Sequence, residues 1–566
     1  MTANKLIIYQ LFPRLFGNKN TKLTINGSRS ENGTGKFNDI SDRALQEIKK
    51  LGISHIWYTG IIEHAIVQGY PDNGIPGGNP LVIKGKAGSP YAIKDYYDVN
   101  PDLAEDVNQR IEEFQNLVSR THRNDMKVII DFVPNHLARE YHSDVKPKDI
   151  SDFGEEDDRS VGFSPCNNFY YLPHEHLHLS DEIRNWFPNV DYQEYPAKVT
   201  GNDQFTTSPQ INDWYETVKL NYGVDYQNNH SLHFDPIPDT WIKMKDILIY
   251  WAEKGVDGFR CDMAEMVPVE FWHWVIDKIK SEFPDTIFIA EVYNPYLYQA
   301  YIKTGKFDYL YDKVGLYDTL KGIIRGERSA RDISKCWQSL NNLDKYMLRF
   351  LENHDEQRIA SSYFASDPFK ALPAMMLSVC FNKGASMIYS GQEFAECGME
   401  TSGYSGSDGR STIFDYWNLP EHQKWMNDGK FDGKLLSDQQ KNLQNSYRSI
   451  LKHAQLPAIS QGEFYDVMWQ NTDSSIFNSD KVYAFLRHTA KQKVLIICNF
   501  DTSTQHVQVK VPAHAMEIMD IPRPIELHFT KLDSNEEIKI SSEEVAEKGL
   551  PLSLSAHQYL LFEIKY

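Results

Sequence analysis

Six cysteines, Cys166, Cys261, Cys336, Cys380, Cys397 and Cys498, are scattered along 566 residues with no CxxC pair among them. That spacing speaks against both a disulfide framework and a zinc site. No stretch approaches the roughly 18 consecutive apolar residues of a membrane span. The start, Met1 to Lys5, runs straight into a strand-like segment without the basic, apolar and small-residue order of a secretory leader, so a cytoplasmic protein is expected. Basic charge is the minority: 59 Lys and Arg stand against 78 Asp and Glu, a formal charge of −19. Neither nucleic acid nor an anionic membrane is therefore expected as a partner. Internal repeats and low-complexity tracts are missing as well.

What is present is a long globular chain with enough apolar content, 41%, for two or three domains. Its 11 Trp and 32 Tyr serve either as core filler or as flat faces for sugar rings. The Asn- and Gly-rich stretch from Gly17 to Asn38 reads as a solvated loop insertion, with metal ligation as the alternative.

The chain repeats one grammar. The apolar run Leu6 to Phe12 is a buried strand, Ser41 caps a helix with Ala44, Leu45, Ile48 and Leu51 on one face, Gly52 stops it, and Ser54 to Tyr58 is the next strand. Further strands are expected at Lys127 to Val133, Gly258 to Asp262, Thr286 to Glu291, Phe307 to Leu310, Met347 to Leu351 and Ala385 to Tyr389. Eight strands alternating with helices predict an α/β fold, a (β/α)8 TIM barrel, whose functional residues gather at the strand C-termini. Two stretches break the alternation. The polar segment 137–220 is too long for a loop and reads as a subdomain inserted after strand three. From 457 to 566, runs such as Val482 to Leu486, Val494 to Cys498, Val507 to Val511 and Tyr559 to Phe562 predict a C-terminal antiparallel β-sandwich. The barrel then comprises 1–136 and 221–456.

Strand four ends in Gly258-Phe259-Arg260-Cys261-Asp262. Alternation puts Arg260 and Asp262 on one face, so a fixed cation is expected to keep a carboxylate ionised and aimed, as a nucleophile requires. Cys261 falls on the other face, as packing. Strand three leads into Asp131-Phe132-Val133-Pro134-Asn135-His136, strand five ends in Glu291, and strand seven in Glu352-Asn353-His354-Asp355. Acid/base chemistry on a neutral substrate suits this set better than a metal cluster, because Arg260 competes with a cation. Retaining glycoside cleavage needs two carboxyls about 5–5.5 Å apart. Neighbouring strands about 4.8 Å apart deliver Asp262 and Glu291 on that scale. Asp355 comes from across the mouth to stabilise the transition state, and His136 and His354 add hydrogen-bond donors.

These segments, in this order and each at a strand end, resemble the conserved regions of the α-amylase family of glycoside hydrolases, glycoside hydrolase family 13. Tyr9-Gln10-Leu11-Phe12-Pro13-Arg14 is similar to that family's first strand. The resemblance implies Asp262 as nucleophile, Glu291 as acid/base and Asp355 as transition-state stabiliser. It also implies Arg260, His136 and His354 as substrate-binding residues and Tyr91, in Ser89-Pro90-Tyr91, as an aromatic platform under the sugar. Asn135 matches a calcium ligand of many members. Where many α-amylases carry Lys-His after the nucleophile, the His carbonyl binding calcium, this chain has Glu265-Met266. Calcium remains compatible through the carbonyl, but binding on the leaving-group side cannot be copied. The loop Ser407-Asp408-Gly409-Arg410-Ser411 offers an Asp and an Arg to a sugar, or is a polar turn. The implied activity is hydrolysis of α-glucosidic, most naturally α-1,4, bonds in malto-oligosaccharides or other α-glucans. A transglycosylase or sucrose-type glucosyl transferase shares the catalytic trio, and a non-catalytic carbohydrate-binding relative would be expected to have lost part of it. Nothing in the sequence sets an oligomeric state.

Overall fold

The computed structural model describes residues 5–399, 403–472 and 475–566, so the extreme start read above, Met1 to Asn4, lies outside the described residues. Eight parallel strands form its central sheet: β1 (Ile7–Leu11), β2 (His55–Tyr58), β3 (Lys127–Phe132), β4 (Gly258–Cys261), β5 (Ile287–Ala290), β6 (Tyr309–Tyr311), β7 (Met347–Leu348) and β8 (Ser386–Tyr389). They neighbour one another in chain order, and β1 also pairs with β8. A parallel bridge from Arg349, just past β7, to Ser386 closes the ring. The sheet has no free edge and is the predicted barrel.

Side-chain alternation divides the barrel into two cores. Ile8, Trp57, Ile129, Ile289, Tyr311, Leu348 and Met387, one from each strand but β4, fill the interior. The opposite faces pack outward against the helices, and Cys261 lies there, fully buried as expected. The helix before β4, Asp239–Glu253, buries Trp241, Met244, Ile247, Leu248 and Trp251. It stops at Gly255, whose φ of +88° an L side chain rarely adopts. Ser41 accepts a hydrogen bond from the Ala44 N–H at the head of helix Asp42–Lys49, as its position predicts. In the 17–38 stretch, Asn18 and Asn32 spend their side chains on backbone carbonyls of Trp417, Tyr416 and Thr24, so they brace the loop.

Between β3 and helix Asp239–Glu253 the chain makes short antiparallel pairs, among them His136–Ala138 with Thr217–Lys219. That pair draws the end of the insertion back to the barrel mouth. Beyond the barrel, β9 (Glu463–Asp466), β10 (Val482–His488), β11 (Lys493–Asn499), β12 (Gln505–Val509), β13 (Glu526–Lys531), β14 (Glu537–Ser541), β15 (Leu550–Leu554) and β16 (Tyr559–Lys565) are all antiparallel. Six form one sheet, ordered β9-β10-β11-β16-β13-β14, and β12 pairs with β15 as the second. Cys166, Cys261, Cys336, Cys380 and Cys498 are free thiols. Among the described residues no helix is long and apolar enough to cross a membrane.

Candidate active site

The β4 ladder ends at Cys261, one residue short of the expected Asp262, yet the Asp262 N–H still donates to the Phe132 carbonyl (2.9 Å) and fixes the residue at the barrel rim. Arg260 points to the interior and is fully buried. Its Nη1 donates to Asp262 Oδ1 (2.6 Å) and lies 3.6 Å from Asp131 Oδ1. Nη2 stands 2.9 Å from Glu291 Oε2, out of hydrogen-bond alignment, and Nε donates to the Tyr311 hydroxyl (3.1 Å). One guanidinium thus serves three carboxylates from three neighbouring strands. Glu291 has two further donors, the Met263 N–H (2.8 Å) and the Tyr293 hydroxyl (2.5 Å). Met263 reaches it from a left-handed backbone (φ 42°), the kind of local strain that surrounding structure must hold in place.

Across the mouth, His354 pairs with Asp355, Nε2 to Oδ2 at 3.0 Å, and its ring stacks on Tyr91 with centroids 5.2 Å apart. Gln10 Nε2 lies 2.8 Å from His354 Nδ1, and the Tyr91 hydroxyl donates to Asp131 Oδ1 (3.3 Å). Asp262, Glu291, Asp355, Tyr91 and His136 all line one cavity of about 250 Å3. Lys84, Trp214, Glu216, Tyr293 and Phe414 complete much of its wall.

Charge in this cavity is unevenly held. Burial pushes the Asp262 carboxyl well above its usual range; Glu291 and Asp355 push the same way, and Arg260 pulls against them. The expected aim of Asp262 is present, while its ionisation is opposed by burial. Asp355 goes the other way: burial raises it, but His354, Arg260 and Arg410 outweigh that and hold it at about 2. Burial, with Lys219 and Lys84, drives His136 down to about 3, so it is a neutral imidazole. Tyr91 and Tyr293 are raised far above 10 by burial and keep their protons as donors.

Comparison with known proteins gives this geometry its family. Residues 10–509 match the family described as "Alpha amylase, catalytic domain", and residues 469–556 match "Alpha amylase, C-terminal all-beta domain". The chain belongs to the α-amylase family. Similar relatives include "Alpha-amylase 2" of Dictyoglomus thermophilum, 24% identical over 88% of this chain and 70% of that protein. Another is an "Alpha-1,4-glucan:maltose-1-phosphate maltosyltransferase" of Picrophilus torridus, 22% identical over 97% of this chain and 69% of that protein. The crystal structure of a noncanonic maltogenic α-amylase, AmyB, from Thermotoga neapolitana shares the fold at a TM-score of 0.61, with 20% identity and full coverage of both chains.

Against the α-amylase pattern, three expected positions take particular forms. Asn135 is buried; its Nδ2 donates to the Gly201 carbonyl (2.8 Å) and its Oδ1 accepts from Lys219 Nζ. A calcium ion does not fit on an oxygen already holding an ammonium. Glu265 accepts the N–H groups of Tyr293 (3.1 Å) and Asn294 (2.9 Å), bracing the loop that carries Glu291. Asp408 accepts the Arg410 N–H in a tight turn (2.9 Å), and neither side chain is among the described residues lining the cavity. Lys84, Trp214, Glu216 and Phe414 were not singled out from sequence, since they arrive from loops without periodicity. Tyr293 lies only two residues past Glu291 at the end of a predicted strand, a position readable from sequence.

Proposed function

We propose that the chain is a retaining glycoside hydrolase of the α-amylase family that cleaves α-glucosidic bonds, with α-1,4-linked malto-oligosaccharides as its substrate class. The observation that carries this reading is the single Arg260 guanidinium holding both Asp262 and Glu291 at the wall of a cavity that Asp355 also lines. In the proposed mechanism Arg260 occupies Asp262 Oδ1, leaving Oδ2 to attack the anomeric carbon while Glu291 protonates the departing oxygen. The aligned hydrogen bond of Arg260 goes to Asp262, which favours charge on that carboxyl. A protonated Glu291 is accommodated when the Tyr293 hydroxyl turns from donor to acceptor. Water, deprotonated by Glu291, then attacks the glycosyl–Asp262 ester, and the product keeps the α configuration. Asp355, ionised throughout, faces the oxocarbenium-like charge and with His354 holds sugar hydroxyls.

The cavity of about 250 Å3 lies just below the roughly 300–1,000 Å3 usual for ligand sites. Transfer in place of hydrolysis is the second reading, favoured by the maltosyltransferase relative that spans 97% of this chain. Incubation of the purified protein with maltoheptaose, followed by chromatography and NMR of the anomers, separates the two. Shorter products released first as α-anomers support hydrolysis, longer products support transfer, and β-anomers would overturn the retaining mechanism.

A further inference from the structure

Three oxygens from three separate stretches converge on one buried ammonium. Lys219, at the end of strand Thr217–Lys219, is 2% exposed. Its Nζ donates to Asn135 Oδ1 and to the Met266 carbonyl (3.2 Å), and pairs with Asp203 Oδ1 (2.8 Å). Asn135 follows β3 and precedes His136 of the cavity, Met266 lies four residues past Asp262, and Asp203 sits in the insertion. An amide oxygen, a carboxylate and a backbone carbonyl are the hard ligands a calcium ion takes. Two of the three, Asn135 and the carbonyl at 266, are the positions at which the family resemblance implies calcium.

We propose that the Lys219 ammonium takes the place of the calcium ion, as a tethered cation that ties the insertion to the barrel beside the nucleophile. Two N–H donors bond Asn135 and Met266, and the Asp203 carboxylate, 2.8 Å away without an aligned hydrogen bond, supplies the opposite charge. A Lys serving only to neutralise Asp203 would have no need of Asn135 and Met266. Metal-held stability rises and falls with free ion concentration, whereas a side chain is always present. Stability of this junction is therefore independent of calcium.

The test uses the full chain. After dialysis against chelator, the wild type is expected to hold no calcium above the buffer blank by atomic spectroscopy, and its thermal midpoint is the same in calcium and in chelator. Lys219→Ala removes the charge and opens the cage; its midpoint falls by several degrees and calcium restores part of the loss. Lys219→Met keeps the bulk of the stem, and its loss is not restored. One calcium retained per wild-type chain with a midpoint that drops on chelation would overturn the proposal. So would a Lys219→Ala protein that unfolds at the wild-type temperature, or one whose loss calcium leaves untouched. Should Lys219→Ala fail to fold in either medium, the wild-type metal count and midpoint decide. These readouts are metal and stability, so their failure leaves the glycosidase reading standing.

Discussion

Two fully buried arginines at the barrel mouth show opposite uses of the same side chain. Among the described residues Arg358 has one carboxylate within ion-pair distance, Glu352 (2.9 Å), and adds bonds to the Ser390 carbonyl (2.9 Å) and Ser411 Oγ (2.8 Å). Arg260 is divided among Asp131, Asp262 and Glu291; in both arginines Nη2 is left without an aligned hydrogen bond, so the number of carboxylates is what separates them. The first arrangement balances charge and fixes a loop. The second leaves excess negative charge facing a cavity, which is what stabilises a developing cation in a transition state.

Breaking each arrangement should therefore give different losses. Asp262→Asn is expected to lower kcat by on the order of 10^4-fold or more, the scale of removing a group the transition state requires, while urea unfolding stays close to wild type. Glu352→Ala strands the Arg358 charge and is expected to cost about 3–5 kcal/mol in urea unfolding, the usual penalty for breaking a buried pair. Equal stability losses at the two sites would erase the contrast. Glu291→Gln should lose about 10^2–10^4-fold on maltose, whose leaving group needs a proton, and far less on an activated aryl α-glucoside. Steady-state rates on the two substrates measure this directly.

A third buried set sharpens the comparison. Glu63 is buried beside Asp95 and Asp98 with Lys94 3.3 Å away, and burial pushes it from 4.5 up to about 8. Its folded pKa lies above its unfolded value, so the folded state holds a proton that the unfolded state releases. The stability it contributes is complete below about pH 4.5 and is lost as pH rises through about 8. This group pulls the thermal midpoint down between pH 5 and pH 8, so the midpoint of Glu63→Gln relative to wild type should rise across that range, the smallest effect of the four.

The sequence was most legible where residues repeat. The apolar strands and their helices announce the barrel, and the strand-end strings point Asp262, Glu291, Asp355, Arg260, His354 and His136 to one mouth, to which the resemblance adds Tyr91. Strand β7 is shorter than its apolar run Met347 to Leu351 implies, because Arg349 makes only a bridge and the chain then leaves the ladder. Pairs of two or three residues in the insertion carry no periodicity, so Trp214 and Glu216 were invisible. Lys219, flanked by the buried Val218 and Leu220, had a local signal, but only the fold brings Asn135, Asp203 and Met266 to it. The resistance of Asp262 to ionisation likewise follows from burial, which the strand pattern alone does not quantify.

The most direct test of the account is to trap the covalent intermediate. The wild-type protein is treated with a 5-fluoro-α-glucosyl fluoride, which slows breakdown of the glycosyl-enzyme, and digested peptides are weighed by mass spectrometry. One glycosyl unit on the peptide containing Asp262, absent from Asp262→Asn, is the predicted result. A label on Glu291 or Asp355, or turnover of the reagent with inversion and no label, would contradict it.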